Sequence, residues 1–294
     1  MGQVKFGLFA VNYGTCADPE SAITVAQHAE AAGFESVWTG EHVVLPDPVP
    51  AQLPFDADLP FLDTTVALTL LASHTTRIRV ASGIIVLPLR NPVLLAKELA
   101  SIDVVSSGRL LVGVGAGYIP EEFAAVGVPL TDRQARVDEH IQALRALWTM
   151  EHPRFHGRYV SFDGIDAHPR PVQRPGPPIV VGGEGRIALT RAVTMANGWY
   201  GFSLDVDATR QCLGRLQRRR GTHDRPAELG ALEITVTPSG PLDRGVVARY
   251  EDLGVDRLVL LPRPESSGAD RHRPVPLERI LATIDRAAQD LLPR

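Results

Sequence analysis

The hydrophobic positions of this chain fall into short unbroken runs, and most runs lead into a stretch of helical spacing. Residues 4–11, 36–39, 78–87, 110–114, 179–181, 199–202, 232–236 and 257–261 read as strands. Most are apolar without alternation, as strands covered on both faces of a parallel sheet are. Helices are predicted over 19–32, 63–74, 92–105, 133–150, 186–196, 206–219, 242–253 and about 276–291. Their punctuation agrees: Asp18 precedes a proline at the first turn, Gly33 follows the first helix, Asp63 caps the second and Ser107-Gly108 ends the third. Eight strands alternating with eight helices predict a (β/α)8 TIM barrel spanning 1–294 as one domain. A doubly wound open sheet alternates in the same way, but the count of eight and the unbroken pattern favour the barrel.

Two connections exceed the usual loop length, at about 41–62 and 152–178. The first follows strand two directly, which puts it on the face where barrel active sites form. It reads either as a surface loop stiffened by prolines or as an apolar wall over the site, and the second reading is preferred. Phe9 and Asn12 at the end of strand one, Trp38 in strand two, Phe61 in the loop and Trp199 in strand six are the candidate pocket side chains.

The chemistry is expected at the strand ends. Ser82-Gly83-Ile84 sits inside strand three, where glycine weakens a strand unless another group must come close. A backbone bulge or a non-proline cis peptide there would make a shelf for a planar ring. Gly113, Gly115 and Gly117 close strand four ahead of Tyr118, where a flat group could lie against bare backbone. They match a dinucleotide fingerprint poorly, because the third glycine comes too early and Pro120 falls where the helix should open. Val181-Gly182-Gly183 leads into a helix beginning at Arg186, a pattern that binds phosphate on free backbone N–H groups. His42 ends strand two and can give or take a proton near neutral pH; Glu41 either orients it or points to the opposite side.

Composition removes other classes. A net charge of −4 offers no pull toward nucleic acid or an anionic membrane. Arg215 and Arg218 to Arg220 read as a solvated helix end. The histidines show no metal spacing, and two cysteines, Cys16 and Cys212, make no disulfide framework, so no metal is expected. The first eleven residues carry no leader pattern and no run is long enough for a membrane span, so the expectation is a cytoplasmic protein acting on a small molecule.

Taken together, several segments give the chain its likeness. They are Phe6-Gly7-Leu8-Phe9, Glu35-Ser36-Val37-Trp38 with Glu41-His42, residues 82–92, residues 94–100, Ser107-Gly108-Arg109-Leu110 with residues 113–117, Gly182-Gly183, and residues 253–257. With them the chain resembles the luciferase-like flavin/deazaflavin oxidoreductase superfamily over nearly its whole length. The resemblance implies a (β/α)8 barrel binding FMN or the deazaflavin coenzyme F-420. It implies a non-proline cis peptide near Ser82-Gly83-Ile84 under the isoalloxazine ring, the phosphate near Gly182-Gly183, and a homodimer. It also implies His42 as the residue that protonates or deprotonates substrate or intermediate.

Two departures matter. Deazaflavin sugar-phosphate dehydrogenases of the family carry an acid where this chain has Tyr118; the nearest acids are Glu121 and Glu122. Bacterial luciferases carry a second histidine where this chain has Val43. The chain therefore looks like the F-420-dependent branch, with an FMN-dependent monooxygenase as the alternative. A non-catalytic flavin-binding protein stays open as another reading. A metal-dependent barrel hydrolase is disfavoured by the missing ligand clusters.

Overall fold

The computed structural model describes residues 3–50, 53, 55–263 and 274–292. Eight parallel strands close on themselves: β1 (Lys5–Phe9), β2 (Ser36–Thr39), β3 (Arg79–Ser82), β4 (Leu110–Gly115), β5 (Ile179–Gly182), β6 (Gly198–Leu204), β7 (Glu233–Pro238) and β8 (Arg257–Leu260). Each pairs with its neighbour in chain order, and β8 pairs with β1 through Leu8 and Leu260 to complete the barrel. The open-sheet alternative is thereby excluded.

The unbroken apolar runs have two destinations. Phe9, Trp38, Ala81, Leu111, Val180, Tyr200 and Val259 meet inside the barrel. Their alternates, among them Leu8, Val37, Val80, Val112 and Val181, pack outward against the helices. These are α1 (Pro19–Ala31), α2 (Thr64–His74), α3 (Pro92–Val105), α4 (Pro120–Val126), α5 (Arg133–Thr149), α6 (Arg186–Met195), α7 (Val206–Arg220), α8 (Arg244–Asp252) and α9 (Leu277–Asp290). The caps are the expected ones: Asp18 accepts from the Ser21 N–H at 2.9 Å and Asp63 from the Thr65 N–H at 2.9 Å.

Three local differences from the sequence reading have physical causes. Strand three is not continuous over 78–87; β3 stops at Ser82, Ile85–Val86 pair only with β4, and Leu87–Leu89 form a 3-10 turn. At the break the Ser82 hydroxyl donates to the Gly113 carbonyl and accepts from the Gly113 N–H, both at 2.9 Å, and so replaces a rung of the ladder. Helix α4 was not expected, yet Pro120 occupies its first position, where the missing N–H costs nothing. Gly127 ends it at φ 72°. The stretch 152–178 contains a short hairpin, Phe155–His156 against Ser161–Phe162. It leads from α5 into β5 and lies at the barrel end away from the strand C-termini.

That closed end is held by charge. Arg257 is fully buried, bonds both oxygens of Glu35 at 2.7 and 2.9 Å, and reaches Glu233 at 3.0 and 3.1 Å. Lys5 also donates to Glu233 at 2.9 Å, and the guanidinium lies 5.7 Å from the Trp38 ring. Burial acts to raise both carboxyls, but the bonds and charge of Arg257 outweigh it and hold them below the usual range. Depressed carboxyl pKa values stabilise the fold above the unfolded value, near ~4.3, and that stability is lost as pH falls through the folded values. Wild-type unfolding free energy should therefore drop on acidification below about pH 4. Arg257→Leu leaves two partly buried carboxylates without their main partner and should cost about 3–5 kcal/mol. Its carboxyls then titrate upward, so its stability should rise between about pH 7 and 4. Urea titrations of both proteins across this range check both the cost and the reversed slope.

Candidate active site

A cavity of about 1120 Å³ opens at the C-terminal ends of the strands. Residues at or just past the ends of β1, β2, β3, β4, β5, β6 and β8 line it. Its floor is the Gly83–Ile84 peptide, which is cis, as the family resemblance implied. The Gly83 N–H donates to the Thr39 carbonyl at 2.7 Å. A methyl carbon on Gly83 would come within 2.9 Å of the Phe9 ring, and one on Gly113 within 1.9 Å of the Ser82 carbonyl oxygen. The Ile84 side chain fills the space that side chains on Gly115 and Gly182 would take, at 2.5 and 2.9 Å. The glycines thus make room for the shelf itself, and the shelf faces the cavity.

At one end of the cavity the chain turns through Gly183 at φ 115° into α6. Among the described residues no side chain caps this helix, which leaves its first N–H groups open there. The Gly183 peptide is aimed by two bonds: Trp199 Nε1 donates to its carbonyl at 2.8 Å, and its N–H donates to the Tyr200 carbonyl at 3.2 Å. Arg186 lies beside these groups on the cavity wall. Open N–H groups, a bare glycine and a guanidinium are the donor set of an anion site.

At the other end sits His42, its side chain 13% exposed. Glu41 does not orient it. Its carboxylate turns away, accepts from the Val86 N–H at 2.5 Å and pairs with Arg90, which also pairs with Asp63. Burial raises the Glu41 carboxyl above its ordinary range despite these donors. The partner of His42 is Glu122, from the first turn of α4, whose carboxylate lies 3.3 Å from Nδ1 and takes the Val43 N–H at 2.8 Å. Glu122 is almost fully buried.

Aromatic rings continue from His42 around the cavity. Phe55, Phe61 and Tyr118 lie 4.8, 5.4 and 6.3 Å from the imidazole. Phe61 stacks on Tyr13 at 4.7 Å, Tyr13 meets Phe9 at 6.2 Å, and Phe9 meets Phe202 at 5.3 Å. Phe55, Leu59 and Phe61 come from the loop after β2, which therefore walls the cavity with apolar groups. Burial and Glu122 push the Tyr118 phenol up, so it stays a hydrogen-bond donor at neutral pH.

Of the residues picked from sequence, Phe9, Phe61, Glu41, His42, Gly83, Ile84, Gly115, Gly117, Tyr118, Gly182, Gly183 and Arg186 line the cavity, Glu41 with its carboxylate spent on Val86 and Arg90. Others support it from behind. Ser82 and Gly113 are spent on each other at the β3–β4 seam, and Val181 packs outward against the helices. Trp38 lies beneath the shelf and donates to Ser36 at 2.8 Å, while Trp199 reaches the cavity only through the Gly183 carbonyl. Asn12 is fully buried and joins the two ends of the loop, donating to the Gly40 and Leu62 carbonyls and accepting from the Gly40 N–H. Tyr13, Phe55, Tyr200 and Phe202 were missed, and Glu122 entered only as a nearby acid. For Tyr200 and Phe202 the two-residue period of β6 is the signal: they share one face, and Trp199 has the other.

The sequence profile of the luciferase-like monooxygenase family matches residues 4–242, and the chain belongs to that family. An uncharacterized protein of Mycobacterium tuberculosis is 30% identical over 279 residues, covering 92% of this chain and 94% of that one. The FMNH(2)-dependent dimethylsulfone monooxygenase of Pseudomonas putida is 34% identical over 179 residues, which is 60% of this chain and 46% of the other. Among solved structures, a monooxygenase from Streptomyces bottropensis superimposes with a TM-score of 0.75 at 21% identity over 99% of both chains. An F-420-dependent secondary alcohol dehydrogenase does so with a TM-score of 0.76 at 16% identity, over 99% of this chain and 98% of its own. At such identities the solved structures establish a common fold.

The clamp made by Asn12 can be tested directly. Asn12→Ala strands a buried N–H and two carbonyls and should cost about 1–3 kcal/mol. The midpoint of thermal unfolding should fall, and limited proteolysis should cut within residues 43–61 sooner than in wild type. A side chain that only touched ligand would leave both measurements unchanged.

Proposed function

We propose that this protein is an oxidoreductase that transfers a hydride between coenzyme F-420 and a small organic substrate, with His42 as the proton relay. The observation that carries this reading is the pairing of His42 with buried Glu122 at one end of a cavity whose floor is a peptide shelf and whose other end is an anion site. A flat ring fits the shelf, where side chains on the surrounding glycines would collide with Ile84 or Phe9. A phosphate fits the open N–H groups of α6 and Arg186.

The cofactor supplies the hydride at its ring; the chain supplies position, dryness and a proton. Glu122 accepts the Nδ1 proton of His42, which leaves Nε2 as the nitrogen that meets substrate. The Val43 N–H fixes the other carboxylate oxygen, so the imidazole is held from a single direction. Phe55 and Phe61 lie against the imidazole, whose side chain is 13% exposed. Arg90 holds Glu41 away, and the carboxylate that meets the imidazole is that of Glu122.

An FMN-dependent monooxygenase is the second reading, favoured by the likeness to the dimethylsulfone enzyme over 179 residues. The preference for F-420 rests on the family resemblance and on Val43, which stands where bacterial luciferases carry a second histidine. Calorimetric titration separates the two: F-420 should bind more tightly than FMN. Micromolar FMN binding with none for F-420 would reverse the assignment. Arg186 is exposed, so Arg186→Ala should fold normally yet weaken cofactor binding about tenfold, as loss of a charge-assisted hydrogen bond does.

His42→Ala should lower turnover by about 10²–10⁴-fold and leave cofactor affinity nearly unchanged. Glu122→Gln should lower turnover by less, and its effect should vanish in the His42→Ala background, because the two residues act as one unit. Independent, additive losses in the double variant would remove Glu122 from this role.

A further inference from the structure

The ring belt around His42 has a consequence for what can bind there. We propose that this site takes an uncharged, largely apolar substrate that carries a planar or branched body and one neutral oxygen function. The inference rests on the reading of the shelf as the cofactor's support, which leaves the belt as the substrate's side of the cavity.

Every ionic side chain on the cavity wall is engaged elsewhere or stands at the anion end. Glu41 is paired with Arg90, Glu122 with His42, and Arg191 with Asp138 at 2.5 Å. Arg263 is turned to the Pro238 and Ser239 carbonyls. Arg186 lies at the α6 end with the open N–H groups. Around His42 the wall consists instead of Phe55, Phe61, Tyr13, Phe9 and Phe202, rings in continuous contact. A carboxylate or phosphate lodged there would be stripped of water, with Arg186 at the α6 end and the Arg263 guanidinium already turned to backbone carbonyls. An aromatic or alicyclic body would meet ring faces and edges instead, and such contacts add to plain area burial. One neutral oxygen can reach His42 or the neighbouring Tyr118 hydroxyl, polar groups of the belt that face the cavity. Binding should therefore discriminate on charge, with shape secondary.

Three probes of one shape separate these terms: acetophenone, 4-acetylbenzamide and 4-acetylbenzoate. Their affinities are read by saturation-transfer NMR on the protein with its cofactor bound and without it. Acetophenone and the amide should bind comparably, and the carboxylate at least about tenfold more weakly, because burying an unpaired charge is costly. Equal affinity for the amide and the carboxylate would overturn the inference, as would failure of all three probes to bind. Cofactor titration is measured separately. Charge discrimination in a protein that takes up neither F-420 nor FMN would sustain this inference while the oxidoreductase reading failed. Phe202 is half exposed at the rim, so Phe202→Arg should fold and bring a cation to the belt. In that variant 4-acetylbenzoate should gain roughly what it lacked, about tenfold. An unchanged carboxylate affinity there would contradict the assignment of charge as the discriminating term.

Discussion

The Ser82 hydroxyl sets the geometry of the whole catalytic face. A strand that leaves its ladder normally strands backbone donors and acceptors. Here one side chain takes both bonds that Gly113 offers, so β3 can end inside the barrel without that cost. The chain is then free to cross the mouth as Gly83–Ile84 before Ile85–Val86 rejoin β4. The close approach demands glycine opposite, since a side chain on Gly113 would overlap the Ser82 carbonyl. Ile84 in turn occupies the volume above Gly115 and Gly182. Three neighbouring strands are therefore shaped by one hydroxyl, and the cavity floor is a product of that arrangement.

The two ends of the barrel are built on opposite principles. The closed end concentrates formal charge around Arg257, in a network that includes Glu35, Glu233 and Lys5. The open end spreads neutral rings and bare backbone around the His42–Glu122 pair, with the Glu41–Arg90–Asp63 ion pairs set behind them. Rigidity and chemistry are thus separated along the barrel axis, as barrels of this kind permit.

The barrel was legible because a parallel strand buried on both faces leaves an unbroken apolar run, and eight such runs alternate with capped helices. The glycine positions were legible too, since each marks a close approach. Side-chain direction was harder. Trp38 points into the barrel but lies beneath the shelf, strand alternation gives Trp199 the face opposite Tyr200, and hydrogen bonds to Gly40 and Leu62 occupy Asn12. Trp199 drew attention by size, whereas its neighbour Tyr200 has the inward face. Glu122 is named in the sequence only as a nearby acid without a role, because its helix begins with Pro120, a residue that reads as a breaker until it is placed at the first turn. Pairing between Glu122 and His42 spans 80 residues of sequence, and no local pattern encodes that.

The loop after β2 is fastened at its two feet by residues that lie outside it. Asn12 ties Gly40 to Leu62, and Arg90 ties Glu41 to Asp63. Asp63 also caps α2, so the second foot is anchored to a helix as well. Closing a loop costs entropy that depends mainly on holding its ends together, and only weakly on what lies between. Here the holding is done from the chain after β1 and from the chain after β3, at the loop's two feet. The stretch between the feet therefore behaves as a cassette. Its middle, which contributes Phe55 to the wall, can change sequence or length while the frame that mounts it, including Phe61 stacked on Tyr13 beside the second foot, stays intact. Such an arrangement lets a lineage of related barrels diversify the molecules it accepts by exchanging one surface segment, with the shelf and the histidine left as they are.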